Sequence, residues 1–144
     1  MKTSSKGIEL VKRHEGLKLT AYLCPAKVWT IGYGHTGGVK SGDVITKAQA
    51  EEFLRADLNN AERPVNQQRL SINQNQFDAL VSFVFNLGSG NFQNSTLLKV
   101  IKANPLDARI KMELSRWVYS KGEVLPGLVL RRGEEADLYF SKIV

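Results

Sequence analysis

The sequence predicts an α+β protein in which helices predominate. Residues 17 to 35 read as two short strands around a tight connection. Most of the remaining chain repeats apolar residues at helical spacing between recognisable caps. At 144 residues, with 42% apolar and 24% charged side chains, the chain has one domain's length and enough apolar matter for a real core.

The first helix carries Ile8, Val11 and Glu15 on one stripe, so Glu15 is expected partly buried. Gly16 supplies the left-handed position that commonly ends a helix, which puts Glu15 beside the negative end of the macrodipole. Desolvation and dipole both disfavour the anion, and a carboxyl group that keeps its proton suits general-acid work. Leu17 to Leu23 reads as a strand. Val28 to His35 alternates more clearly, with Trp29, Ile31, Tyr33 and His35 on one face and Thr30, Gly32 and Gly34 on the other. Pro25-Ala26-Lys27 connects the strands and keeps Cys24 close to Thr30.

Thr36-Gly37-Gly38 and Ser41-Gly42-Asp43 mark a turn-rich loop. Thr46 with Gln49 forms a capping box that opens a helix through about Ala61. Ala50, Phe53, Leu54, Leu58 and the polar Asp57 share its stripe, and Pro64 is expected to bend or end it. Asn75 to Leu87 is apolar nearly all round, as a central core helix would be, and Gly88 closes it. Ser95 or Thr96 caps a short helix to Ala103. Asn104-Pro105 starts another, with Leu106, Ile110, Leu114 and Trp117 on one face, where Trp117 is either core or cleft wall. Pro126-Gly127 precedes a last helix from about Leu128. On it, Arg131 and Arg132 either reach acidic groups of a ligand or form a solvated, ion-paired face with Glu134 and Glu135.

A net charge of +6 and a pI near 9.6 favour an anionic partner. The basic residues are scattered rather than interleaved with aromatics, which argues against a nucleic-acid groove. One cysteine excludes an internal disulfide, and Cys24, His14 and His35 make no metal-ligand pattern, so no metal or other cofactor is expected. Residues 1 to 16 have no apolar signal-peptide core, and no stretch approaches the ~20 apolar residues that span a bilayer. Cytoplasmic accumulation without membrane insertion is the expectation.

Eight residues separate Glu15 from Cys24 and five separate Cys24 from Thr30. This spacing, within HEGLKLTAY and WTIGYGHT, closely resembles the phage-type lysozymes, the endolysins of glycoside hydrolase family 24. Their signature has Glu, then Asp, then Thr at these intervals, and Cys24 stands where Asp is usual. NQFDALVSFVFNLG and LPGLVLRR, from Leu125 to Arg132, extend the resemblance over nearly the whole chain. It implies a lysozyme-like single domain over residues 1–144: a small β-hairpin lobe over about 15–45, a connecting helix over about 47–62, and a helical lobe over about 70–144 that includes the N-terminal helix. It further implies hydrolysis of the β-1,4 bond between N-acetylmuramic acid and N-acetylglucosamine in peptidoglycan, with inversion, and lysis of the host cell. Glu15 would be the general acid, Cys24 would occupy the Asp position, and Thr30 would orient the attacking water. His35 and Asp57 would be a structural pair, and Tyr33, Trp117 and Arg131 are candidates for contacting substrate. A monomer is expected, with a holin-type protein releasing it from the host cytoplasm to the wall.

Other readings share part of this pattern. A cysteine peptidase of the peptide stems would need Cys24 as nucleophile and a histidine base. A wall-binding module would have lost its chemistry with the aspartate, and a lytic transglycosylase would use Glu15 without water.

Overall fold

The computed structural model describes residues 1–143. Helix α1 runs Ser5–Glu15, and strands β1 (Lys18–Leu23) and β2 (Trp29–Gly32) pair antiparallel, with Tyr22 opposite Thr30 and Leu23 opposite Trp29. There follow α2 (Lys47–Gln67), α3 (Gln74–Leu87), α4 (Ser89–Gln93), α5 (Thr96–Ala103) and α6 (Arg109–Ser115). A two-stranded ribbon of β3 (Tyr119–Ser120) and β4 (Glu123–Val124) then leads into α7 (Pro126–Tyr139). The protein is thus mostly helical with a small hairpin lobe, as the sequence predicts.

Local chemistry explains most boundaries. Gly16 ends α1 at φ +70°, ψ 167°, outside the left-handed helical region, while its N–H closes on Lys12 O at 2.9 Å. Thr46 and Gln49 form the expected reciprocal capping box, Asn73 and Gln76 form a second, and Ser95 accepts from Leu98 N–H. α3 lies at the centre, packed on α1, α2 and α7, with Phe77, Ala79, Leu80, Val81 and Phe83 fully buried. Its near-uniform apolarity is therefore the mark of a helix with neighbours on several sides.

Several expectations need correction. β2 stops at Gly32, because Ile31 and His35 exchange both backbone hydrogen bonds (2.9 Å each) around a tight turn that Gly34 closes at φ +74°. The last part of the loop, in turn, pairs with the free edge of β1: Ala21 N–H donates to Asp43 O and Ile45 N–H to Leu19 O, both at 2.9 Å. α2 continues past Pro64 to Gln67. The carbonyl that proline leaves without a donor belongs to Asn60, at an exposed position that water serves, while Ala61 and Val65 bury into the core and hold the last turns in place. α6 begins at Arg109 rather than near Leu106, which is 72% exposed. Asn104 and Asp107 carboxamide and carboxylate oxygens accept from the N–H groups two residues on, holding this stretch in turns. α7 starts two residues early, with Pro126 at its first position.

Candidate active site

Glu15 sits on the last turn of α1, its side chain about one-fifth exposed. Arg131, from α7, donates Nη1–H to Glu15 Oε2 at 2.6 Å. The other oxygen, Oε1, lies against the backbone of Gly34, where a β-carbon would collide with the carboxyl group. The acid is therefore fixed from two sides, by a guanidinium from the helical lobe and by the turn after β2. A recess of about 450 Å³ opens beside it, lined by His14, Glu15, Asn86, Pro126 and Arg131 among others. A second groove of about 330 Å³ reaches from Gly34 past Asp57 and Asn60 to Val84 and Ser89. The first is walled by α1, α3 and α7 and the second by the turn after β2, α2 and α3, and the contact between Glu15 of the one and Gly34 of the other forms the waist of the cleft.

The hairpin supplies the facing chemistry. Cys24 follows directly on β1, two residues after Tyr22, with its N–H still on Val28 O at 3.0 Å, and Tyr22 is paired directly with Thr30. Cys24 is half-buried, and its thiol is held below the usual thiol range. The first cause is the Val28 N–H, followed by the Ala26 N–H and the Thr30 hydroxyl. The cation of Lys27, which the sequence offers as a candidate, is not among the causes. Thr30 is 4% exposed, and its hydroxyl donates to Val28 O at 3.0 Å. Both oxygen lone pairs remain acceptors. The Tyr22 phenol is pushed up from its ordinary value, first by burial and then by the charges of Glu15 and Cys24. Tyr22 is therefore within electrostatic reach of both the acid and the thiol and stays a hydrogen-bond donor at neutral pH.

His35 Nδ1 meets Asp57 Oδ2 at 2.8 Å, Nε2 meets Gly37 O at 3.0 Å, and the ring stacks on Phe53 at 4.2 Å. Trp117 packs edge-to-face on Phe83 at 5.6 Å, half-buried against the core. Tyr33 is 7% exposed, its hydroxyl on Glu51 at 3.3 Å and the Lys12 ammonium over its ring, so it braces α1 and α2 instead of presenting a surface to ligand. Arg131 is 3% exposed. It neither reaches outward nor belongs to a solvated face, because the side of α7 that carries it packs on α3. Only Glu134 is surface-paired, with Arg13 and His14 at 2.9 Å. Sequence reasoning did not single out Tyr22 or the role of Gly34 as neighbour of the acid. The strand alternation that links residue 22 to residue 24 contains the first of these. Among the described residues no cluster of His, Cys, Asp and Glu is placed to hold a metal, and no helix is long and apolar enough to cross a membrane.

A carboxyl group at a helix terminus, facing a short hairpin across a cleft in a mostly helical fold, defines a glycoside hydrolase of lysozyme type. The comparisons agree. The phage lysozyme family model matches residues 12–135, so the chain belongs to the phage lysozyme family. It is 44% identical to the endolysin of Acyrthosiphon pisum secondary endosymbiont phage 1, over 98% of this chain and 99% of that one. Among solved structures it is similar to the muramidase domain of SpmX from Asticaccaulis excentricus (TM-score 0.88, 36% identity, 98% and 99% covered). It is also similar to the active form of the P1 phage endolysin Lyz (TM-score 0.87, 29% identity, 96% and 85% covered).

Proposed function

We propose that this endolysin muramidase hydrolyses the β-1,4 bond between N-acetylmuramic acid and N-acetylglucosamine, with Glu15 as general acid and Cys24, as thiolate, in the position opposite. The observation that carries the reading is the fixed Glu15 carboxyl group at the waist of the cleft, with Arg131 on one oxygen and the other toward Gly34. Arg131 occupies Oε2, which leaves Oε1 to carry the transferred proton. That proton goes to the glycosidic oxygen as its bond to the muramic acid C1 breaks and oxocarbenium-like charge develops on the sugar. A water then forms the new bond to C1 from the opposite face. Its proton passes to the Cys24 thiolate, and transfer of that proton through solvent from the Cys24 thiol to the Glu15 carboxylate resets both groups and completes the cycle. Thr30 keeps the thiol in place and offers its lone pairs to the same water.

Less supports the peptidase reading: among the described residues no hydrogen bond joins Cys24 to a histidine, His35 being held by Asp57 and Gly37 and His14 by Glu134. We further infer a monomer that accumulates in the host cytoplasm, reaches the wall through a holin-type partner and lyses the cell. The excess positive charge supports attraction to the anionic envelope.

The test is mass spectrometry of fragments released from purified Gram-negative peptidoglycan by the parent and by Glu15→Gln. Disaccharide-peptides with reducing ends, lost in the variant, are the expected result. Anhydro ends would make the site a transglycosylase, cleaved stems would move the chemistry to Cys24, and no fragments from folded parent would leave a wall binder.

A further inference from the structure

Behind Arg131 lies a buried cluster that the hydrolysis scheme does not use. Glu135, one turn along α7, is fully buried. Its Oε2 accepts from Ser82 Oγ at 2.6 Å and from Arg132 Nη2 at 3.0 Å, and lies 3.6 Å from Arg131 Nε. Its Oε1 is 2.7 Å from Arg132 Nε, a charge contact too bent to be a hydrogen bond. Burial pushes the Glu135 carboxyl up, against the pull of both guanidiniums. Ser82 Oγ–H and Arg132 Nη2–H donate to it and two guanidiniums surround it, which is the environment of a carboxylate. Ser82 continues the chain toward the cleft. Its hydroxyl accepts from Arg131 Nε and its carbonyl from Arg131 Nη2, both at 3.3 Å, and Arg131 Nη1 ends on Glu15. Arg132 is anchored separately by Asn86 Oδ1 at 2.8 Å and the face of Phe83.

Arg131 thus stands between two carboxylates, one in the cleft and one in the core. We propose that Glu135 is a positioning residue for hydrolysis: with Ser82 it orients Arg131 on Glu15 and neutralises part of its charge, so that Glu15 is held in place without being locked as the anion. This rests on the reading of Glu15 as general acid. A guanidinium with no second carboxylate would put its whole charge on the Glu15 side. Arg132 works in the opposite sense, drawing the Glu135 charge away from Arg131. The other charged or titratable groups facing this assembly are Tyr22 on β1 and Cys24 just after it, on the Glu15 side, and His14 on α1, which is tied to Glu134. None of them is altered by changes in the core cluster.

The experiment compares pH–rate profiles of kcat and KM for the parent, Glu135→Gln and Arg132→Gln on solubilised peptidoglycan at fixed ionic strength, with Glu15→Gln as reference. Activity that depends on a protonated acid falls as pH rises. In Glu135→Gln this falling limb moves to lower pH by on the order of one unit, as expected for the loss of a unit negative charge that only the Arg131 guanidinium separates from Glu15, at an effective dielectric near 20. In Arg132→Gln it moves to higher pH. KM stays within about twofold of the parent in both, since neither residue touches substrate. Arg132→Gln keeps one buried cation against one buried anion, so it decides the matter if Glu135→Gln does not fold. A merely structural role would lower activity evenly across pH in both variants. Limbs that coincide with the parent's, while Glu15→Gln is dead, overturn this proposal alone. An active Glu15→Gln overturns the acid assignment, and this proposal with it.

Discussion

Gly34→Ala is the sharpest probe of the site. At φ +74° a β-carbon on residue 34 would sit 3.0 Å from Glu15 Cδ and closer still to Oε1, well inside van der Waals contact. The left-handed conformation alone costs about 1–2 kcal/mol for a non-glycine residue. A drop in melting temperature of about 3–8 °C follows from that cost. The contact adds a second effect. To regain normal separation the carboxyl group must retreat by about 1 Å. It cannot retreat toward α7 without pushing into Arg131, already at 2.6 Å, and displacing that guanidinium from its own partners. A misplacement of that size at the reacting group costs on the order of 10²-fold in rate. Gly42→Ala separates the two effects, because Gly42 has φ +88° but nothing within 4 Å of its would-be β-carbon. It should melt lower by a similar amount and keep its activity. The assay is fragment release from peptidoglycan at saturating substrate, alongside thermal melts of both variants. A Gly34→Ala enzyme within about threefold of Gly42→Ala would refute the contact between Gly34 and the acid as the cause.

Other expectations concern the hairpin. If Cys24 works as a thiolate, activity rises as pH climbs through its lowered pKa, and Cys24→Asp, ionised above about pH 4, carries activity to lower pH. Cys24→Ser indistinguishable from the parent between about pH 5 and 9 would remove the thiolate from the mechanism. His35→Ala breaks the 2.8 Å contact with Asp57 and the stack on Phe53. It should cost about 1–2 kcal/mol in chemical denaturation while leaving the turnover of folded protein within a few-fold. Loss of turnover by several orders of magnitude would instead make His35 a participant in the reaction.

The site's framework was legible where local rules act on neighbouring residues. Glu15, Cys24 and Thr30 fall within sixteen residues of each other, and the helix end, turn and hairpin between them leave their own signatures. Thr46 and Gln49 showed the start of α2 for the same reason. Arg131 was misread because Arg-Arg followed by Glu-Glu at helical spacing looks the same whether the face is wet or buried. Only the packing of α7 on α3 decides between the two, and that contact joins residues 49 apart at Ser82 and Arg131. The one local hint was Ser82, a hydroxyl within an otherwise apolar run. Tyr33 failed differently: strand alternation assigned it a face, but two glycines allowed the chain to reverse beneath it. Pro64 failed because its cost was judged alone, without the burial of Ala61 and Val65 around it.

Glu15 ends a helix packed on α3 and α7, whereas Cys24 and Thr30 belong to a ribbon that leans on α2. Along the chain, Gly16, Leu17 and the whole of β1 separate the two, and in space the turn at Gly34 rests on the Glu15 carboxyl group. The distance between proton donor and thiol is therefore set twice, once by the chain through Gly16 and once by the hairpin's own return past Gly34, so that α2, on which the ribbon leans, and α7, which holds Arg131, share in its registration.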